Sequence, residues 1–162
     1  MATNDTYVAD PGTSDADVYR QLAPELIRFA TGLVGTVDAA DVLSGAVVRC
    51  LASPSWPSVD NHRAYLYRAV FNEANTWLRR SAQRRAREAR VPVDERWELP
   101  ELRPDVRQAV ARLTVRQRAV VVLTYWADLG PAEVAERLGI SEGSVRRHLV
   151  RARSRLRRVL DA

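Results

Sequence analysis

Residues 142–158 hold seven arginines and one acid, Glu142. Arg147, Arg151, Arg155 and Arg158 recur at steps of three and four, which aligns them along one side of a helix. Arg146, Arg153 and Arg157 flank that row. Guanidinium groups spaced this way can neutralise phosphates, and an arginine fork also matches the O6 and N7 acceptors of guanine. The bland alternative is a solvated basic face. Solvated faces usually mix signs, because like charges at these spacings repel. Phosphate neutralisation relieves that repulsion, so nucleic acid is the favoured partner.

The surrounding residues say how such a row would be held. Pro131 suits a first helical turn, where its missing N–H is not needed. Val134, Ala135 and Leu138 follow at helical spacing and give one apolar face. Gly139 allows a turn conformation that a side chain resists, and Ile140 can plug the angle beyond it. Ser141 is a good N-cap for the next helix, without the Glu or Gln three residues on that would complete a capping box. In that helix Val145, Leu149, Ala152, Leu156 and Val159 or Leu160 form the inward stripe. Helix, tight turn and basic second helix make a helix-turn-helix, a device that lays its second helix in the DNA major groove.

Other chemistries find little support. The chain has 162 residues, a formal charge of +5, and no lysine. The positive charge is concentrated in residues 104–162, which carry +6 against −2 for residues 1–80. Two histidines and one cysteine leave no metal-ligand cluster, and no Gly-rich phosphate loop or Ser/His/Asp arrangement is present. No cofactor, no metal and no catalytic residue is expected. His148 has no second ligand nearby. Cys50 lies in an apolar run and reads as a buried thiol. No signal-peptide core and no membrane-length apolar run occurs, so a cytoplasmic protein with no membrane partner is expected.

The chain reads as all-α throughout. Residues 1–13 form a disordered lead. A first helix over 14–34 has Val18, Leu22, Leu26, Phe29 and Leu33 as its spine, with a kink or break expected at Pro24. A second covers 38–51, with Val42, Ala46, Val47, Cys50 and Leu51 facing inward. After a Ser/Pro-rich loop a third runs over 61–80, then extends or frays to 90. Residues 91–103, with Pro92 and Pro100, are the best linker candidate. Short helices over 105–113 and 114–127 precede the helix-turn-helix. A strand is the rival reading for Val120-Val121-Val122, and helical neighbours favour helix. The expected architecture is two small helical bundles, 14–90 and 104–162, joined by a flexible linker.

Leu113–Leu160 closely resembles region 4 of bacterial sigma-70-type transcription initiation factors. Residues 38–80 resemble region 2, most clearly at Tyr65-Leu66-Tyr67-Arg68-Ala69-Val70-Phe71-Asn72-Glu73-Ala74. Two such domains on a short chain, with no region 3 between them, look like the extracytoplasmic-function group. The resemblance implies a factor that binds core RNA polymerase and directs promoter-specific initiation. Region 4 would read the minus-thirty-five element through Ser141, Ser144, Arg146, Arg147, His148 and Arg151, with Arg147 the first choice for base reading. Arg155, Arg157 and Arg158 would meet phosphate or polymerase, or form a solvated tail. Region 2 would hold the melted minus-ten element through Asn61, His62, Arg63, Tyr65, Asn72, Asn75, Trp77, Arg79 and Arg80. Tyr65 and Trp77 serve equally well as core residues. Helix 119–125 resembles the surface that meets the polymerase flap, and plain core is its alternative.

Asp38, Asp41, Val42 and Arg49 would face the polymerase. The family's helix there reads like D-A-E-D-L-V-Q, whereas this chain has Ala40 and Ser44 in place of the Glu and Gln. That departure implies a weaker hold on core polymerase. Asp94, Glu95, Glu98 and Glu101 would mimic nucleic acid inside the polymerase, or simply belong to a tether. Family precedent adds restraint by an anti-sigma protein or by proteolysis. The rival reading is a two-domain helix-turn-helix regulator that binds DNA without directing initiation. An enzyme acting on nucleic acid lacks any workable constellation.

Overall fold

A computed structural model describes residues 14–88 and 103–160. The N-terminal lead, most of the expected linker and its four acids lie outside the described residues. Among the described residues the regular structure is helical, apart from turns.

Helix α1 spans Asp15–Val34. Ser14 caps it, accepting from the Asp17 N–H at 3.2 Å. The expected break at Pro24 does not occur. Pro24 and Arg20 are both exposed, so the carbonyl that Pro24 leaves without a helical partner is open to water. The predicted spine is buried from Val18 through Leu33. Helix α2 spans Ala39–Leu51. Val42, Ala46 and Cys50 face the core as expected, and burial pushes the Cys50 thiol up to about 11. Leu51 does not face inward; it is exposed with Val48 on the opposite side.

Helix α3 covers His62–Glu88. Asn61 caps it by accepting from the Ala64 N–H at 2.9 Å. The arginine-rich stretch past Arg80 therefore extends the helix. Between α2 and α3, Trp56 turns into the core, and its Nε1 donates to Asp15 Oδ1 at 2.8 Å. Helix α4 spans Pro104–Ala111, with Pro104 in the first turn and Arg103 at its cap position. Helix α5, Val115–Tyr125, opens on a full capping box between Thr114 and Gln117. That start signal carries the β-branched run into a helix, so the strand reading is excluded. Helix α6 spans Pro131–Leu138 and α7 spans Glu142–Leu160.

The two helical sets, α1–α3 and α4–α7, share one apolar core. The two sets also pack directly on each other, α1 on α5 and α3 on α6. Gly32 on α1 makes the first contact possible: a Cβ there would sit 2.8 Å from both Val122 methyl carbons. Arg118 is buried beside it. Its Nη1 donates to the Leu33 carbonyl across the seam, and its Nη2 donates to the Ala111 carbonyl at 2.7 Å. Burial lowers the Arg118 guanidinium to about 10, which still leaves it charged at neutral pH. Arg116 lies over the Phe71 ring at 5.6 Å.

Candidate nucleic-acid interface

The C-terminal site is built as the spacing demanded. Gly139 closes α6 in the left-handed conformation, with φ of 63° and ψ of 39°. A residue with a Cβ would be strained there. Ser141 caps α7, its Oγ accepting from the Ser144 N–H at 3.2 Å and donating to Ser144 Oγ at 3.0 Å. Val145, Leu149 and Ala152 are buried, which fixes the rotation of the helix about its axis. The outward side then shows Arg147, Arg151 and Arg158, all exposed. None of these three makes an ion pair among the described residues. Arg147 donates to Ser144 Oγ at 2.8 Å and so points along the first turns.

Arg155 of the row and the flanking Arg146 and Arg153 are held differently. Arg146 pairs with Glu142 at 2.8 Å. Arg153 donates to the Tyr125 hydroxyl at 2.7 Å, and Arg155 to Gln117 Oε1 at 3.3 Å. His148 is half-buried among cations. Burial, then Arg116, Arg151 and Arg147, hold its pKa below the ordinary 6.5. A row of unpaired guanidiniums beside a neutral imidazole is an anion-accepting surface.

The N-terminal candidates are scattered along α3, and most of the first ones already have partners. Asn61 donates through Nδ2 to Glu136 Oε1 of α6 at 2.8 Å. Arg63 Nε lies 2.9 Å from Glu25 on α1. The His62 ring meets Trp56 edge-on at 4.7 Å. Tyr65 stands 5.9 Å from the same indole, with its hydroxyl donating to Ser53 Oγ at 3.3 Å. His62 and Arg63 form the first turn of α3, inside the helix expected over 61–80. Asn72, Arg79 and Arg80 are exposed, while Asn75 and Trp77 are half-buried. Trp77 lies beside a shallow cleft that Arg80, Arg84 and Arg87 also line. An indole next to a guanidinium track is what a splayed single strand needs.

On α2, Asp41 and Arg49 are exposed and Asp38 is partly so. Arg49 pairs with Glu73 of α3. Val42 must be struck from the outward-facing set: it is 1% exposed and belongs to the core. The exposed apolar residues are instead Val48 at 67% and Leu51 at 44%. Their signal was present in the sequence, since α2 is apolar on more than one side, which one buried face does not require. The apolar run 119–123 is buried, so the core reading accounts for it in this arrangement.

Comparison with known proteins decides the family. The model for sigma-70, region 4, matches residues 103–156. The RNA polymerase sigma-E factor of Streptomyces antibioticus is 32% identical over 152 residues, covering 90% of this chain and 83% of that one. The chain belongs to the sigma-70 family, in its extracytoplasmic-function group. The ECF RNA polymerase sigma factor SigM of Mycobacterium tuberculosis is 36% identical over 99 residues, 60% of this sigma factor and 50% of that one. The fold agrees with the sigma factor RpoE of Bartonella quintana, solved in complex with the anti-sigma factor NepR. There the TM-score is 0.65 at 21% identity, over 90% of this sigma factor and 98% of that chain. No helix among the described residues is long and apolar enough to cross a membrane, and no group of three or more metal-ligating side chains occurs among them.

Proposed function

We propose that this sigma factor binds core RNA polymerase and directs promoter-specific transcription initiation. The first turns of α7 enter the major groove of the minus-thirty-five element, where Arg147 reads a base edge and Ser141, Ser144, Arg146, His148 and Arg151 hold register. Arg155, Arg157 and Arg158 neutralise phosphates further along. The region of α3 around Asn72, Asn75, Trp77, Arg79 and Arg80 takes the melted minus-ten strand, joined by Asn61, His62, Arg63 and Tyr65 once α6 releases Asn61. The outer face of α2 meets polymerase through Asp38, Asp41 and Arg49, with Val48 and Leu51 as the apolar part. The domain division follows: 14–90 for polymerase and melted DNA, 104–162 for duplex DNA. The factor acts by binding energy directed at an open DNA state and makes or breaks no bond. An anti-sigma protein is a further expected partner, because the Bartonella factor of the same fold was solved with one.

The observation that carries this reading is the row of exposed, unpaired arginines on α7, set on a capped helix behind a left-handed glycine turn. In the test, purified core polymerase transcribes a library of genomic fragments with and without the factor, and transcript 5′ ends are sequenced. New start sites sharing two upstream elements are expected. Duplex binding without any new start site would favour the regulator reading. The Asp38→Arg, Asp41→Arg double variant should lose co-purification with core polymerase, and unchanged recovery would remove α2 from the contact.

A further inference from the structure

The seam between the two helical sets carries a partly open cavity of about 600 Å³, where α1 and α3 face α5 and α6. Small-molecule sites fall at roughly 300–1,000 Å³ and favour domain interfaces. Phe29 and Tyr67, both nearly fully buried, lie at its floor, and Trp126, half exposed, stands at its mouth. Arg137 of α6 also lines it. This side chain is only 6% exposed, and its Nε has no hydrogen-bond partner among the described residues. Its guanidinium lies over the Tyr67 ring at 5.4 Å. The carboxylate in the wall, Glu25, is paired with Arg63 at 2.9 Å. Arg28 stands at the exposed rim.

A buried cation is stable when an anion or several acceptors meet it. Here a ring face meets the guanidinium, and the same side chain borders a space of ligand size. We propose that this cavity binds a small aromatic organic acid. Its ring system lies against Phe29, Tyr67 and Trp126, and its carboxylate accepts from the Arg137 fork, a planar match that lysine would not provide. Arg28 adds attraction at the mouth. Because α1 and α3 supply one wall and α5 and α6 the other, a bound acid also ties the two helical sets together. Region 4 would then respond to a metabolite as well as to a protein.

The test uses the full chain and 1-naphthoate as probe, with the neutral 1-naphthalenemethanol as control, followed by titration calorimetry and by quenching of tryptophan fluorescence. One saturable site for naphthoate is expected, with the alcohol weaker by about tenfold or more, the loss of one charge-assisted hydrogen-bonded contact. Naphthoate should also raise the unfolding midpoint. Arg137→Met should weaken naphthoate by a similar factor and leave the alcohol unchanged. Thr31→Trp, which fills the cavity from α1, should abolish binding of both, and it decides the matter if Arg137→Met fails to fold. Absence of saturable naphthoate binding, equal affinity for acid and alcohol, or full affinity in Thr31→Trp would overturn the proposal.

Discussion

The helix-turn-helix and the N-terminal helices hold their candidate binding groups in opposite states. On α7, Arg147, Arg151 and Arg158 are exposed and unpaired, so the surface is ready for phosphate as it stands. At the start of α3, Asn61 is bonded to Glu136, Arg63 to Glu25, and His62 and Tyr65 rest on Trp56. One region presents charge; the other spends its polar groups on holding the fold and the seam. The lesson is that residue type and spacing locate a binding surface only where the groups remain unsatisfied within the chain itself. A region whose groups are already paired has to exchange partners before it can bind.

The largest test of that contrast is at the seam. Gly32→Leu places a side chain where even a Cβ would lie 2.8 Å from the Val122 methyls. It should destabilise the closed arrangement by about 3 kcal/mol, or part the two sets, as overpacked cores do. Denaturant melts and small-angle scattering read the two outcomes. Restored compactness in Gly32→Leu with Val122→Ala would confirm the contact. Unchanged stability and radius in the single variant would mean that the seam tolerates the bulk and that the pairing is looser than described.

Next comes α7 itself. Arg147→Ala should weaken binding to the preferred duplex by about 1–3 kcal/mol and relax sequence preference at one position. Arg158→Ala should act weakly and alike on every sequence, lowering the salt slope by about one. Fluorescence anisotropy across a salt series separates the two effects. Equal losses from both would argue that α7 lies on phosphates alone.

The smallest expected effect is at His148. Burial and Arg116, Arg151 and Arg147 keep its folded pKa below 6.5. The unfolded chain therefore binds the proton more readily, and this group's contribution to stability is present above about pH 6.5 and lost as pH falls below it. DNA phosphates reverse the sign of the surroundings and favour the imidazolium. Duplex affinity should thus tighten between pH 7.5 and 6, by less than about 1 kcal/mol. His148→Asn should flatten that slope. A slope unchanged in the variant would assign the titration elsewhere.

Much of this molecule was legible from its residues. The spine of α1, the Thr114 start, the Gly139 turn and the Ser141 cap are local signals, set by three or four neighbouring residues and read directly from spacing. The arginine row on α7 belongs with them, because a helix fixes which residues share a side. What the sequence could not show depends on groups far apart in the chain. Leu51 looks like a core residue until the structure leaves it exposed beside Val48. Arg137 of α6 lies over the Tyr67 ring of α3, a contact that no local spacing announces.

Local hydrogen bonding and helical periodicity are short-range, so the sequence alone determined the course of the helices among the described residues, the helix-turn-helix and its basic outer side. The pairing of α1 with α5 and of α3 with α6 rests on shape, a glycine gap receiving a valine and carbonyls receiving a buried guanidinium. Complementarity of that kind arises only when surfaces distant in sequence meet. Tertiary structure alone therefore decided which candidate binding groups are engaged, which apolar residues are left outside, and that a cavity lies along the seam.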